Sequence, residues 1–117
     1  MTATRHNIQF RVGSKFEFSV EVRNRDGSIK DLTGYSGRMQ VRKTADDVTK
    51  LVDATTANGM VTINAPGGVV TVTVGADVTA AYTWNTGVYD LEVFTVAPAE
   101  VIAVAEGFAA LLPNVTR

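Results

Sequence analysis

The chain has 117 residues, 45% of them hydrophobic and 20% charged, which suits one globular domain and is too apolar for a disordered one. Eleven Lys and Arg against twelve Asp and Glu leave a formal charge of −1. No overall field draws the chain to phosphate backbones or anionic lipid, so neither nucleic acid nor a membrane is an expected partner. The absence of Cys excludes disulfides and thiolate metal sites and agrees with synthesis in a reducing cytoplasm.

Taken from the amino end, residues 1–6 read as a flexible tail that leads into alternating strand-like sequence, without the unbroken apolar run of a secretory signal. Apolar and polar residues then alternate from Ile8 to Val12 and from Phe16 to Val22, a period-two pattern that predicts strands with one wet and one dry face. Gly13-Ser14 between them marks a bulge, a kink or a switch between sheets, and one long bent strand stays open as a reading. Asp26-Gly27 is a tight-turn signature, after which Ile29 to Leu32 returns toward the core.

From Tyr35 to Val41, residues Tyr35, Gly37, Met39 and Val41 share a face opposite Ser36, Arg38, Gln40 and Arg42. Lys43 to Asp47 reads as a surface loop, and Val48 to Ala54 as resumed extended structure. Asn58-Gly59 is the strongest hairpin signal and is followed by a short strand from Met60 to Asn64. Pro66-Gly67-Gly68 breaks the pattern before Val70, Val72 and Val74 alternate with threonines.

Asp77 is positioned to cap one short helical turn over 77–82. Val88 to Val96 reads as a strand with Tyr89, Leu91 and Val93 on one side and Asp90, Glu92 and Phe94 on the other. Val101 to Leu112 is apolar on both faces, as a central strand or one covered by a partner would be. Turn signals every 8–12 residues or so favour a sandwich or barrel over alternating strand and helix, with seven to nine strands in a single domain spanning 1–117.

A search for chemistry selects no catalytic, cofactor-binding or metal-binding residue. His6, the one histidine, stands apart from any local carboxylate, so neither a histidine metal cluster nor a triad assembles around it. Asp46-Asp47 reads as a solvated loop, Asp26 and Asp31 lack the ligand spacing of a calcium loop, and Gly67-Gly68 opens a strand instead of a phosphate-cradling helix. Arg38, Arg42 and Lys43 make a small basic group suited to an acidic partner or to solvent. Tyr82, Trp84 and Tyr89 fit core packing better than an exposed stacking platform.

Several segments in fixed order carry a resemblance. Gly13 with Phe16, Phe18 and Val20; Asp26-Gly27; Asp31-Leu32-Thr33-Gly34-Tyr35 leading into Arg38 to Arg42; Asn58-Gly59 and the strand start at Gly68; Thr79-Ala80-Ala81 with Trp84; Gly87-Val88-Tyr89-Asp90-Leu91-Glu92; and Glu106-Gly107 followed by Pro113 to Arg117 together cover most of the chain. In this pattern the sequence resembles small structural proteins of tailed bacteriophages and prophages, related to the immunoglobulin-like N-terminal domain of baseplate upper proteins. The resemblance implies an antiparallel immunoglobulin-like β-sandwich and a non-enzymatic place in a virion, in the tail, baseplate, neck or collar, or fibre attachment. Its expected partners are other virion proteins and further copies of itself in a homo-oligomer or symmetric array. A carbohydrate-binding module for host-surface glycan is the alternative, and a small enzyme or inhibitor acting on the host is a third reading.

Overall fold

The computed structural model describes residues 4–114 and builds them into two packed β-sheets with one short helix. The strands are β1 (Thr4–Arg5), β2 (Ile8–Arg11), β3 (Phe16–Glu21), β4 (Ser36–Arg42), β5 (Val52–Thr55), β6 (Val61–Asn64), β7 (Val69–Val74), β8 (Thr86–Val96) and β9 (Ala99–Leu112), with helix α1 (Ala76–Thr79) between β7 and β8. The larger sheet runs β1-β9-β8-β4-β5 with β2 also on β9, and the smaller runs β3-β7-β6.

The dry faces meet as the alternation requires. Met39 and Val41 of β4, Leu91 and Val93 of β8, and Val70, Val72 and Val74 of β7 are fully buried between the sheets. Gly37 belongs to this set because β6 lies so close that a β-carbon there would stand 2.6 Å from a Val61 methyl. Phe10 of β2 closes one end of the core, stacked on Phe16 with a centroid separation of 3.9 Å. Between these two rings the chain crosses from the larger sheet to the smaller, so Gly13-Ser14 is a sheet switch and not a kink within one strand. Gly13 takes a positive φ of 80° there, and buried Thr79 donates its hydroxyl to the Ser14 carbonyl at 2.8 Å, fixing α1 on the crossing.

Several expectations are corrected. Thr4 and Arg5 are not tail: they pair with Ala105 and Glu106, and His6 donates its N–H to the Glu106 carbonyl at 2.8 Å; residues 1–3 lie outside the described residues. Both β1 and β2 run parallel to β9, so the fold is not antiparallel throughout; nearly the whole domain serves as the crossover that a parallel pair needs. Val48 is loop and 87% exposed, and extended structure resumes only at Val52. Asp77 does not cap α1, since Gly75 holds the N-cap position and Asp77 sits within the first turn, where its charge suits the helix dipole. Beyond Thr79 the chain continues in tight turns as far as Tyr82, close to the expected end.

The Asn58-Gly59 turn does not make a hairpin, because β5 belongs to the larger sheet and β6 to the smaller. Asn58 instead ties back its own side of the turn. Its amide donates to the Asp53 carbonyl at 2.8 Å while its side-chain oxygen accepts from Thr55 at 3.0 Å and from Met60 at 3.1 Å. A side chain thus occupies two outward backbone groups of edge strand β5, the Asp53 carbonyl and the Thr55 N–H.

The expectation for the last strand resolves in favour of a central one, since β9 is paired with β8 on one side and with β1 and β2 on the other. Leu91, buried in the neighbouring β8, reports on the whole sandwich: Leu91→Ala is expected to cost about 2–5 kcal/mol of unfolding free energy, read from urea denaturation followed by far-UV circular dichroism.

Candidate docking face

The outer face of the larger sheet gathers charged and apolar side chains in rows that cross the strands. One row is set by register: Gln40 lies opposite Asp90, Asp90 opposite Glu106, and Glu106 opposite Arg5. On one side of it Arg42, Val88 and Phe108 align, and on the other Arg38, Glu92 and Ala103. A bulge creates this alignment. Leu91 pairs with Ala105 but Glu92 with Ala103, so Val104 is the extra residue, and Val104 and Ala105 are both buried in succession before Glu106 and Phe108 turn outward.

Phe108 is 56% exposed although it lies in the middle of a paired strand. It stands between two open depressions of about 400 and 380 Å³, the first edged by Arg5, Gln40, Arg42 and Asp90 and the second by Gln9 and Lys43. The Arg5 guanidinium sits over its ring, 5.5 Å from the centroid. Its backbone is also held, because the Phe108 N–H donates to the Asn7 side chain at 3.1 Å. Gly107 allows this close approach, since a β-carbon there would stand 2.5 Å from the His6 carbonyl oxygen. The same His6 carbonyl accepts a hydrogen bond from the buried Tyr89 hydroxyl. Further along the face Val101 (56% exposed) lies opposite Phe94, and Val96 (81% exposed) is close by.

The charges are unevenly matched. Arg38 donates from Nε to Glu92 at 2.5 Å and lies 4.3 Å above the Phe94 ring. Arg42 donates to the Asp47 carbonyl at 2.6 Å and to the Gln40 side chain at 2.8 Å. Glu106 has Arg5 at 3.7 Å. Asp90 faces Glu106 across the ladder with no such partner among the described residues, an arrangement that strand pairs ordinarily avoid. Its carboxyl is held above the ordinary 3.8, first by desolvation between its neighbours, then by the charges of Glu92 and Glu106, against the pull of Arg38 and Arg42.

The residues singled out in the sequence scatter. Asp26 and Asp31 each accept from the backbone N–H and hydroxyl of the residue two ahead, Ser28 and Thr33, which holds both carboxyls below the usual value. Asp47 accepts from the Thr49 N–H at 2.9 Å, and Gly67 donates to the Asn64 side chain at 3.3 Å; both shape loops. The His6 ring stacks on Phe18 at 5.4 Å. Tyr82 and Trp84 are half-buried and meet Phe10 edge-on at 6.1 and 5.6 Å, while Tyr89 is buried, so these three rings do not form the exposed platform that sugar stacking needs. Among the described residues no three His or carboxylate groups are placed to hold a metal ion.

Phe108 and the Asp90–Glu106 pair escaped the sequence reading. The bulge at Val104 shifts the parity of β9, and no local signal announces it. No protein-family model matches the chain, and no curated protein is significantly similar to it.

The unmatched carboxylate has a measurable consequence. Because the folded-state pKa of Asp90 is raised, the folded protein binds that proton more tightly than the unfolded chain, so this residue lowers stability above its folded pKa and the loss is relieved as pH falls toward 3.8. Asp26 and Asp31 act oppositely: their contribution is present above 3.8 and disappears as pH falls through their lowered values. Asp90→Asn is therefore expected to raise stability at pH 7 by a few tenths of a kcal/mol, the size that solvent screening leaves, with the gain shrinking toward pH 4 or so in urea titrations.

Proposed function

We propose that this chain is a non-enzymatic structural component of a tailed-phage virion, in the tail, baseplate, neck or collar, or fibre-attachment region, and that it docks on neighbouring virion proteins through the outer face of its larger sheet. The observation that carries the docking part is Phe108, an aromatic ring exposed at the middle of a rigid paired strand and ringed by Arg5, Gln40, Arg42, Asp90 and Glu106. An aromatic anchor inside a polar rim is the usual anatomy of a protein contact. A central strand of a packed sheet has little freedom left to lose on binding, which lowers the entropic cost of association.

The strand order supports the immunoglobulin-like part of the reading. The set β9-β8-β4-β5 facing β3-β7-β6 follows the G-F-C-C′ and B-E-D arrangement of that fold, with β2 parallel to the last strand. The chain departs from antibody domains in having no cysteine pair, and Met39 rather than a tryptophan fills the buried middle of β4. The sequence resemblance supplies the virion, and the exposed ring supplies the means of attachment.

Mass spectrometry of purified particles from the encoding phage or prophage should find the polypeptide, and Phe108→Asp, folded by circular dichroism, should reduce its incorporation roughly tenfold or more. Particles free of the chain, or equal incorporation of the variant, would overturn the proposal.

A further inference from the structure

The four open strand edges of this sandwich are not equally protected. β5 is four residues long, and Asn58 takes its outward Asp53 carbonyl and Thr55 N–H. β6 is four residues long, and its Val61 leans onto Gly37 of the other sheet. The β1–β2 edge is interrupted at His6 and Asn7, whose carbonyl and side chain are turned to Tyr89 and Phe108. The remaining edge is β3, six residues of regular strand with β7 as its only strand partner among the described residues.

The backbone direction of β3 follows from one bond. Val22 donates to the Gly68 carbonyl at 2.7 Å in the β3–β7 register, so Phe16, Phe18 and Val20 turn their peptide groups toward β7, and Glu17, Ser19 and Glu21 turn theirs outward. Phe18 and Val20 point inward yet stay only half-buried, although the His6 ring stacks on Phe18 and Tyr89 meets it edge-on. Past Val22 the ladder ends, and Arg23 bridges to Ile29 in the following turn.

We propose that β3 pairs antiparallel with β3 of a second copy of this chain, about a two-fold axis at Phe18, joining the two smaller sheets into one. In that register Glu17 lies opposite the second copy's Ser19, and Lys15 opposite its Glu21, so opposite charges meet on the outer side. On the inner side Phe16 lies opposite Val20 and Phe18 beside its equivalent, covering the half-exposed apolar margin. Shifting the axis to Ser19 would set Glu17 against Glu21 twice, and like charges directly opposite are destabilising. The existing pairs Lys15–Glu17 at 3.6 Å and Arg23–Glu21 at 2.5 Å are largely exposed and exchange partners at small cost. The charges therefore select one register and guard the edge against indiscriminate pairing. This surface is separate from the Phe108 face, and the contact is isologous.

Sedimentation velocity of the full chain over a concentration series tests it. The wild type is expected to form a dimer. Glu21→Lys, which places two lysines opposite each other at both ends of the contact, should weaken it about tenfold, and Lys15→Glu with Glu21→Lys should restore it. Ser19→Pro, which removes an outward N–H that β7 does not use, should give monomer with the fold retained by circular dichroism. Phe108→Asp should leave the dimer unchanged, which separates this contact from the docking face. A wild type that stays monomeric at the highest attainable concentration, a Glu21→Lys chain that dimerises equally, or a double swap that fails to restore association would each overturn the proposal.

Discussion

The burial of alternate residues of β4, β7 and β8 between two sheets is the constraint on which the rest of the molecule depends. Met39, Leu91 and Val93 face Val70 and Val72 with no polar side chain between them, so the registers of β4 on β8 and of β3 on β7 are fixed by what must stay dry. Once those registers are set, the outer face has no freedom. Arg38, Gln40 and Arg42 must stand beside Asp90 and Glu92, and the charged rows are the reverse side of the core.

Most of this was legible from the alternation itself. Phe16 to Val22, Ser36 to Arg42 and Val88 to Val96 fold as their pattern demands, and Asp26-Gly27 makes the turn that its glycine, at a φ of 89°, permits. What the pattern could not carry was pairing between distant segments. Asn58-Gly59 has local hairpin chemistry, but Val52, Ala54 and Val61 are each driven into the core from different sheets, and that burial overrules the turn. Thr4 and Arg5 look like tail because their order comes entirely from β9, a hundred residues away in sequence.

The candidate face was legible only in part. Arg38 and Arg42 were visible as a basic group, yet the structure sets them in the rows that hold Asp90, Glu92 and Glu106, whose carboxylates offset the positive charge, while the Arg42 donors are taken up by the Asp47 carbonyl and Gln40. Phe108 stayed hidden because a strand that is apolar on both sides gives no clue to which side is dry. The bulge at Val104 decides that, and a bulge is the outcome of two strands of unequal demand meeting, not a property of either.

One further property follows from the parallel alliance of β2 and β9. The first and last strands run parallel, with Thr4 at one end of the pairing and Leu112 at the other, so tension between the amino and carboxyl ends slides Ile8–Arg11 along Ala109–Leu112. Bonds crossing such a pair are strained together, whereas a hairpin peels open rung by rung. A domain tethered at both ends would thus meet mechanical load with its strongest geometry.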